Sequence, residues 1–133
     1  MLLLDASAWV AAGLPAHPAH GASAPLVRGD LSVAALDLTF YEVINVVGRQ
    51  YRQPDQAQTI ARAMLHTCGD KLVRIDQELA EDVVKVGEQH GLTAYDAAYV
   101  AAARRNGWQL VSLDVRDLVS KGLAVTPDAA VYP

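Results

Sequence analysis

The chain predicts a single α/β domain, a parallel sheet of four to five strands flanked by helices, and three observations carry that expectation. Short apolar runs at 2–4, 31–35, 72–75 and 108–113 alternate with longer helical patterns, as in parallel sheets covered on both faces. Apolar residues make up 52% of the chain but aromatics only 6%, which suits alanine- and valine-rich helices on a small buried sheet better than an all-β sandwich. The length of 133 residues, without repeats, low-complexity tracts or linkers, fits one domain over 1–133.

In chain order, 2–4 is a buried strand ending in an acid, and 6–13 a short helix closed by Gly13 and the Leu14-Pro15 pair. Residues 17–23 read as a loop rich in Pro, Gly and Ala. Ser23 is expected to cap a short helix through Arg28, ended by Gly29 and Asp30. After the strand at 31–35, one long helix is expected over 36–51, with Leu36, Phe40, Ile44 and Val47 at helical spacing. Pro54-Asp55 opens a helix reaching about His66. The strand at 72–75 leads to Asp76, which caps a helix with Leu79, Val83 and Val86 on its inner face and Gly91 as its stop. Thr93 caps the next helix, 94–106, which ends at Gly107. A strand at 108–113, a short helix at 114–121 and an edge strand at 123–125 complete the order.

Composition excludes several classes. The run at 1–4 is too short for a signal-peptide core and has no basic leader, and no stretch reaches the roughly 20 apolar residues of a membrane span. A cytoplasmic location without membrane association is the expectation. Cys68 is the only cysteine, which rules out an internal disulfide and any multi-cysteine zinc site. It stands at a helix end and reads as a buried neutral thiol rather than a nucleophile. The net charge of −4 opposes a broad electrostatic grip on nucleic acid. That objection weakens if several acids share one pocket and hold a cation that inverts the local field.

Four acids lie where solvent would not want them. Asp5 ends Leu-Leu-Leu, Glu42 sits in Phe-Tyr-Glu-Val-Ile, Asp96 in Ala-Tyr-Asp-Ala-Ala, and Asp114 ends Leu-Val-Ser-Leu. Ionised carboxylates in such surroundings need partners, yet only Arg116 among the basic residues falls within three positions of any of them. Asp5 and Asp114 end strands, and in an open parallel sheet ligands bind beyond the carboxyl ends of the strands. Asp96 opens the helix that leads into the last main strand. Glu42 joins Thr39, Asn45 and Arg49 in a polar stripe on its helix. Taken singly, Asp5 and Asp114 suit helix caps, Asp96 a first-turn acid favoured by the helix dipole, and Glu42 a surface position. Together they could cage a hard divalent cation, magnesium or manganese. Asp117 is a further candidate ligand, and Ser7 and Ser112 are candidates to orient the carboxylates.

These segments resemble the PIN-domain family, and within it the VapC-type ribonuclease toxins of bacterial toxin–antitoxin pairs. The resemblance lies in Leu3-Leu4-Asp5-Ala6-Ser7-Ala8, Tyr41-Glu42-Val43-Ile44-Asn45, the run Leu92-Thr93-Ala94-Tyr95-Asp96-Ala97-Ala98-Tyr99, and Leu110-Val111-Ser112-Leu113-Asp114-Val115-Arg116-Asp117. It spans residues 3 to about 125. It implies a parallel sheet flanked by helices, and one or two magnesium or manganese ions held by Asp5, Glu42, Asp96 and Asp114. Ser7, Asn45 and Ser112 match polar positions nearby. The implied activity is endonucleolytic RNA cleavage by metal-activated water, leaving a 5′-phosphate and a 3′-hydroxyl. The implied partners are RNA, a cognate antitoxin and a second copy of the chain. Arg49, Arg52, Arg104 and Arg105 are candidates for phosphate contacts.

Other readings fit less well. An aspartyl-nucleophile phosphatase wants a second acid where Ser7 stands, a response-regulator receiver wants an acidic pair and a late lysine, and no glycine-rich phosphate loop follows any strand. His17 and His20 read as surface residues rather than ligands. The alternative of a different class is a non-catalytic module using the same fold to bind RNA or protein.

Overall fold

A computed structural model describes residues 1–29 and 32–130. The sheet holds β1 (Leu2–Leu4), β2 (Val33–Leu36), β3 (Leu72–Val73) and β4 (Gln109–Val111), all parallel, in the order β3-β2-β1-β4. The helices are α1 (Ala6–Gly13), α2 (His20–Arg28), α3 (Asp37–Ile44), α4 (Pro54–Cys68), α5 (Gln77–His90) and α6 (Ala94–Asn106).

Side chains on a strand point alternately to opposite faces, and β1 uses both. Leu2 and Leu4 pack with Trp9 of α1, Val43 of α3, Ile60 and Met64 of α4, and Val47 between α3 and α4, while Leu3 packs with Val86, Val100 and Leu118 on the other side. All three leucines are at most 1% exposed, and each contributes about 1.5–3 kcal/mol of hydrophobic stabilisation. The helices before β3 therefore cover one face, and α5 and α6 the other. Right-handed crossovers require this. The chain winds outward from β1 to β2 and β3, then returns to place β4 on the opposite side of β1. The strand order reverses between β1 and β4, the place in such sheets where a crevice opens. Among the described residues no helix is long and apolar enough to cross a membrane.

Local chemistry explains most boundaries. Asp5, Asp76 and Thr93 cap α1, α5 and α6 through side-chain oxygens that accept from the amides of Ala8, Leu79 and Asp96. Gly91 and Gly107 end α5 and α6 with φ of 64° and 68°, a left-handed turn that a Cβ disfavours. Nothing lies within 4 Å of a Cβ built at Gly107, so Gly107→Ala is expected to cost about 1 kcal/mol from backbone conformation alone. Urea unfolding midpoints measure it. Cys68 ends α4, is 1% exposed, and burial pushes its thiol up to about 11, in keeping with an inert core residue.

Several expectations need correction. Residues 17–23 are not all loop: α2 begins at His20, and Ser23 lies inside it, buried, with a hydroxyl that finds no partner among the described residues. The Ser23 amide donates to the Ala19 carbonyl, so Ser23 continues the helix instead of capping it. Strand β2 starts at Val33 among the described residues; Leu31, its expected first residue, and Asp30, half of the expected helix stop, lie outside them.

The helix expected over 36–51 is α3 followed by a wider turn over Asn45–Gln50, where the Tyr51 amide reaches back five residues to the Val46 carbonyl. Its inner face is Thr39, Val43 and Val47, all 0% exposed, while Ile44 is 44% exposed. Of the expected inner positions Leu36 and Val47 are buried and Phe40 packs against the core, but Ile44 faces outward and Thr39 and Val43 lie inside; Thr39 has a buried partner, Tyr99, that periodicity does not reveal. Strand β3 is only two residues long. The last expected strand is reduced to a single parallel bridge between Val125 and Val111, so the sheet has four strands. The segment 114–121 also forms a wide turn, over Val115–Val119.

Candidate active site

Register decides the first contact. Leu4 pairs with Val111, so the next residues, Asp5 and Ser112, stand side by side at the switch point, where the Asp5 amide donates to the Val111 carbonyl at 3.1 Å. The Ser112 hydroxyl, 0% exposed, donates to Asp5 Oδ2 at 2.5 Å, and the Ser7 hydroxyl donates to Oδ1 at the same distance. Each serine also accepts an amide from the chain beyond β4: Leu113 N–H to Ser7 at 2.9 Å and Asp114 N–H to Ser112 at 3.0 Å. Two hydroxyl relays thus stitch Asp5 to the Asp114 segment. With the Ala8 amide also on Oδ1, Asp5 has used three of about four lone-pair positions. One on Oδ2 stays open. Of the carboxylates that Ser7 and Ser112 are expected to orient, both serines bond to that of Asp5.

Asp96, Asp114 and Asp117 each offer an oxygen within 4.8 Å of the other two. Asp114 reaches this position as the cap of the wide turn, its Oδ1 accepting from the Asp117 amide at 2.9 Å, so cap and cluster member are one residue in two roles. Asp117, a secondary candidate from sequence, belongs to this tightest group, whereas Asp5 and Glu42 stand outside it. Electrostatics join all five acids to one field. Asp5 is 7% exposed; burial raises its carboxyl above the usual range, opposed by its hydrogen bonds, with the Asp114 charge adding to the rise. Asp96 is raised by burial and by the charges of Asp114, Asp5 and Asp117, against a lowering from Lys121. Glu42 is raised by burial, lowered by its bond from Tyr99, and raised by Asp5 and Asp96. Among the described residues the only ion pairs are those of Arg105 with Asp76 and Glu78, so no basic side chain is ion-paired to the cluster, and Lys121 acts on Asp96 without direct contact. Oxygen-only donors, convergent and without an ion-paired cation, fit a hard divalent ion.

Glu42 is held from another direction. The Tyr99 hydroxyl donates to Glu42 Oε1 at 2.6 Å and lies 2.9 Å from the Thr39 hydroxyl, which accepts from the Leu36 amide at 3.1 Å. Sequence reasoning missed Tyr99. The available signal was its place three residues after Asp96, one turn along the same helix face.

Other candidates fall elsewhere. Asn45 is exposed and lines a groove with Tyr41, Ile44 and Arg49, and among the described residues it bonds to none of the acids. Arg105 pairs with Asp76 at 2.9 Å, and Arg104 approaches His90 at 3.1 Å. Both close α6 at the end opposite Asp96, roughly 12–14 Å away at 1.5 Å per residue. His20 bonds to the Ala11 carbonyl and His17 accepts from the Ala19 amide, and neither joins an acid cluster.

A doubly wound α/β domain with carboxylates, not a glycine-rich loop, at its switch point is the class that fold and site define. Residues 2–120 match the PIN domain, and the chain belongs to the PIN-domain family. It is 33% identical to Ribonuclease VapC3 of Pyrobaculum aerophilum, covering 95% of this chain and 98% of that protein. Among solved structures it is similar to the sarcin-ricin loop cleaving toxin VapC20 of Mycobacterium tuberculosis, with a TM-score of 0.76, 20% identity, and coverage of 92% of this chain and 95% of that one. A toxin–antitoxin complex from Klebsiella pneumoniae matches with a TM-score of 0.71 and 20% identity, covering 96% and 98%. At that identity the structural likeness is one of fold.

Proposed function

We propose that this chain is a VapC-type endoribonuclease, the toxin of a toxin–antitoxin pair, with Asp5, Glu42, Asp96 and Asp114 as its catalytic acids and Asp117 beside them. The observation that carries the reading is the convergence of Asp96, Asp114 and Asp117 within 4.8 Å next to a desolvated Asp5, in a chain 33% identical over its length to a ribonuclease. The donor set favours magnesium or manganese.

Asp96, Asp114 and Asp117 would hold the ion, with Asp5 and Glu42 completing the anionic wall. When bound, a divalent ion supplies polarisation of the phosphodiester and of water, and offsets charge on the leaving oxygen. The protein's own part is positional. Ser7 and Ser112 fix Asp5, leaving one lone pair of Oδ2 free to face the site. The backbone beyond β4 fixes Asp114 through its cap. Burial raises the carboxyls of Asp5, Glu42 and Asp96, so proton and cation compete for them. Water adds to phosphorus in line as the bond to O3′ breaks, leaving a 5′-phosphate and a 3′-hydroxyl. No side chain forms a covalent intermediate.

An acidic protein with an acidic pocket suits a basic segment of an antitoxin as its inhibitor, and the toxin–antitoxin complex among its structural neighbours supports such a partner. A homodimer acting in the cytoplasm completes the proposal. The test is cleavage of a structured RNA pool with Mn2+, with EDTA and Asp5→Asn as controls. Cleavage lost in both controls is expected; RNA binding without any cleavage would favour a non-catalytic module.

A further inference from the structure

We propose that Tyr99 is a positioning residue for Glu42, and that Thr39 fixes the direction of its hydroxyl. The inference rests on Glu42 being part of the site proposed above, and it concerns residues that the acid quartet does not include.

Hydrogen counting gives the direction. An ionised carboxylate only accepts, so the single phenolic hydrogen of Tyr99 goes to Glu42 Oε1, at 2.6 Å. The Tyr99 oxygen must then accept from Thr39, at 2.9 Å. Thr39 can give its hydrogen because its own oxygen accepts from the Leu36 amide, at 3.1 Å. Every donor in this chain points toward Glu42, and such aligned bonds strengthen one another. Tyr99 and Thr39 are 2% and 0% exposed, so neither can touch substrate.

Glu42 needs the restraint. Its neighbours Tyr41 and Ile44 are 75% and 44% exposed, and the helix widens into the turn at Asn45–Gln50 just beyond it. A glutamate there has three side-chain torsions and an open path to solvent. Holding Oε1 from α6 leaves Oε2 free for the cation or its water shell. The same helix that carries Asp96 thereby sets Glu42, tying two acids from distant parts of the chain to one rigid element.

The experiment compares Tyr99→Phe, Thr39→Val, Thr39→Ser, Glu42→Gln and the Tyr99→Phe/Glu42→Gln double variant by Mn2+ titration calorimetry and by RNA cleavage, with circular dichroism to check folding. Tyr99→Phe is expected to weaken Mn2+ binding and lower kcat about tenfold. Thr39→Val should move both in the same direction, and Thr39→Ser should retain wild-type values. In the Glu42→Gln background Tyr99→Phe should add little, because it acts through that carboxylate. A folded Tyr99→Phe that binds Mn2+ and cleaves as wild type does would overturn the inference, as would full additivity with Glu42→Gln. If the wild type itself binds no Mn2+, the whole site reading falls as well; if it binds and Tyr99→Phe is silent, only the positioning role falls.

Discussion

Asp96→Asn is expected to lower RNA cleavage by at least about a thousandfold, roughly 4 kcal/mol of transition-state stabilisation, while leaving the metal-free protein as stable as the wild type or more so. Both halves follow from where Asp96 sits. Its backbone amide, not its carboxylate, makes the capping bond with Thr93 at 3.2 Å, so the substitution leaves α6 capped. Its carboxylate shares a space within 4.8 Å with Asp114 and Asp117, and the amide of Asn would bring donor hydrogens to a place that requires an anion.

The stability half rests on linkage. Burial and neighbouring charges raise the folded-state carboxyl of Asp96 above its ordinary value. A raised acid binds protons more tightly when folded, so its contribution is fully present below the unfolded pKa and lost as pH rises through the raised folded value. Once ionised, Asp96 therefore opposes folding, and Asn removes that opposition. Asp5 and Glu42 shift in the same direction. Thermal unfolding with and without Mn2+ measures the effect: the ion should raise the wild-type midpoint at neutral pH more than that of Asp96→Asn. Cleavage at the wild-type rate, or a strongly destabilised variant, would refute the assignment. In bacteria, growth arrest by the wild type should disappear with the same substitution.

Ser112→Ala is the second substitution with a large expected effect. The hydroxyl is 0% exposed, donates to Asp5 Oδ2 at 2.5 Å, and accepts from the Asp114 amide at 3.0 Å. Alanine removes a donor from a buried carboxylate and leaves an amide without its partner. The expected loss is about 1–3 kcal/mol of stability and about 10- to 100-fold in Mn2+ affinity. Urea unfolding and calorimetry read the two separately. Ser7→Ala should be milder, since Ser7 is only partly buried. Equal effects from the two serines would show that burial at the switch point does not set the scale.

Much of this architecture was legible before any coordinates. Leu-Leu-Leu before Asp5 and Leu-Val-Ser-Leu before Asp114 signalled buried strands ending in acids. Asp76, Thr93, Gly91 and Gly107 marked helix ends because caps and left-handed turns are chemistry of adjacent residues. Errors arose where a residue answers to a distant partner. Thr39 looked like a solvent position on a polar stripe, yet it is fully buried against Tyr99. Asn45, on the same stripe, is exposed and lines an open groove.

The amino-acid order by itself determined the succession of strands and helices, and the placing of Asp5, Asp96 and Asp114 at their ends, since periodicity and capping act within a few residues. Only the tertiary structure decided that β4 lies beside β1, that Leu4 meets Val111 so that Asp5 faces Ser112, and that Tyr99 of α6 reaches Glu42 of α3. Those contacts join residues 107 and 57 positions apart. The packing of whole elements brings such pairs together, and no local pattern records it.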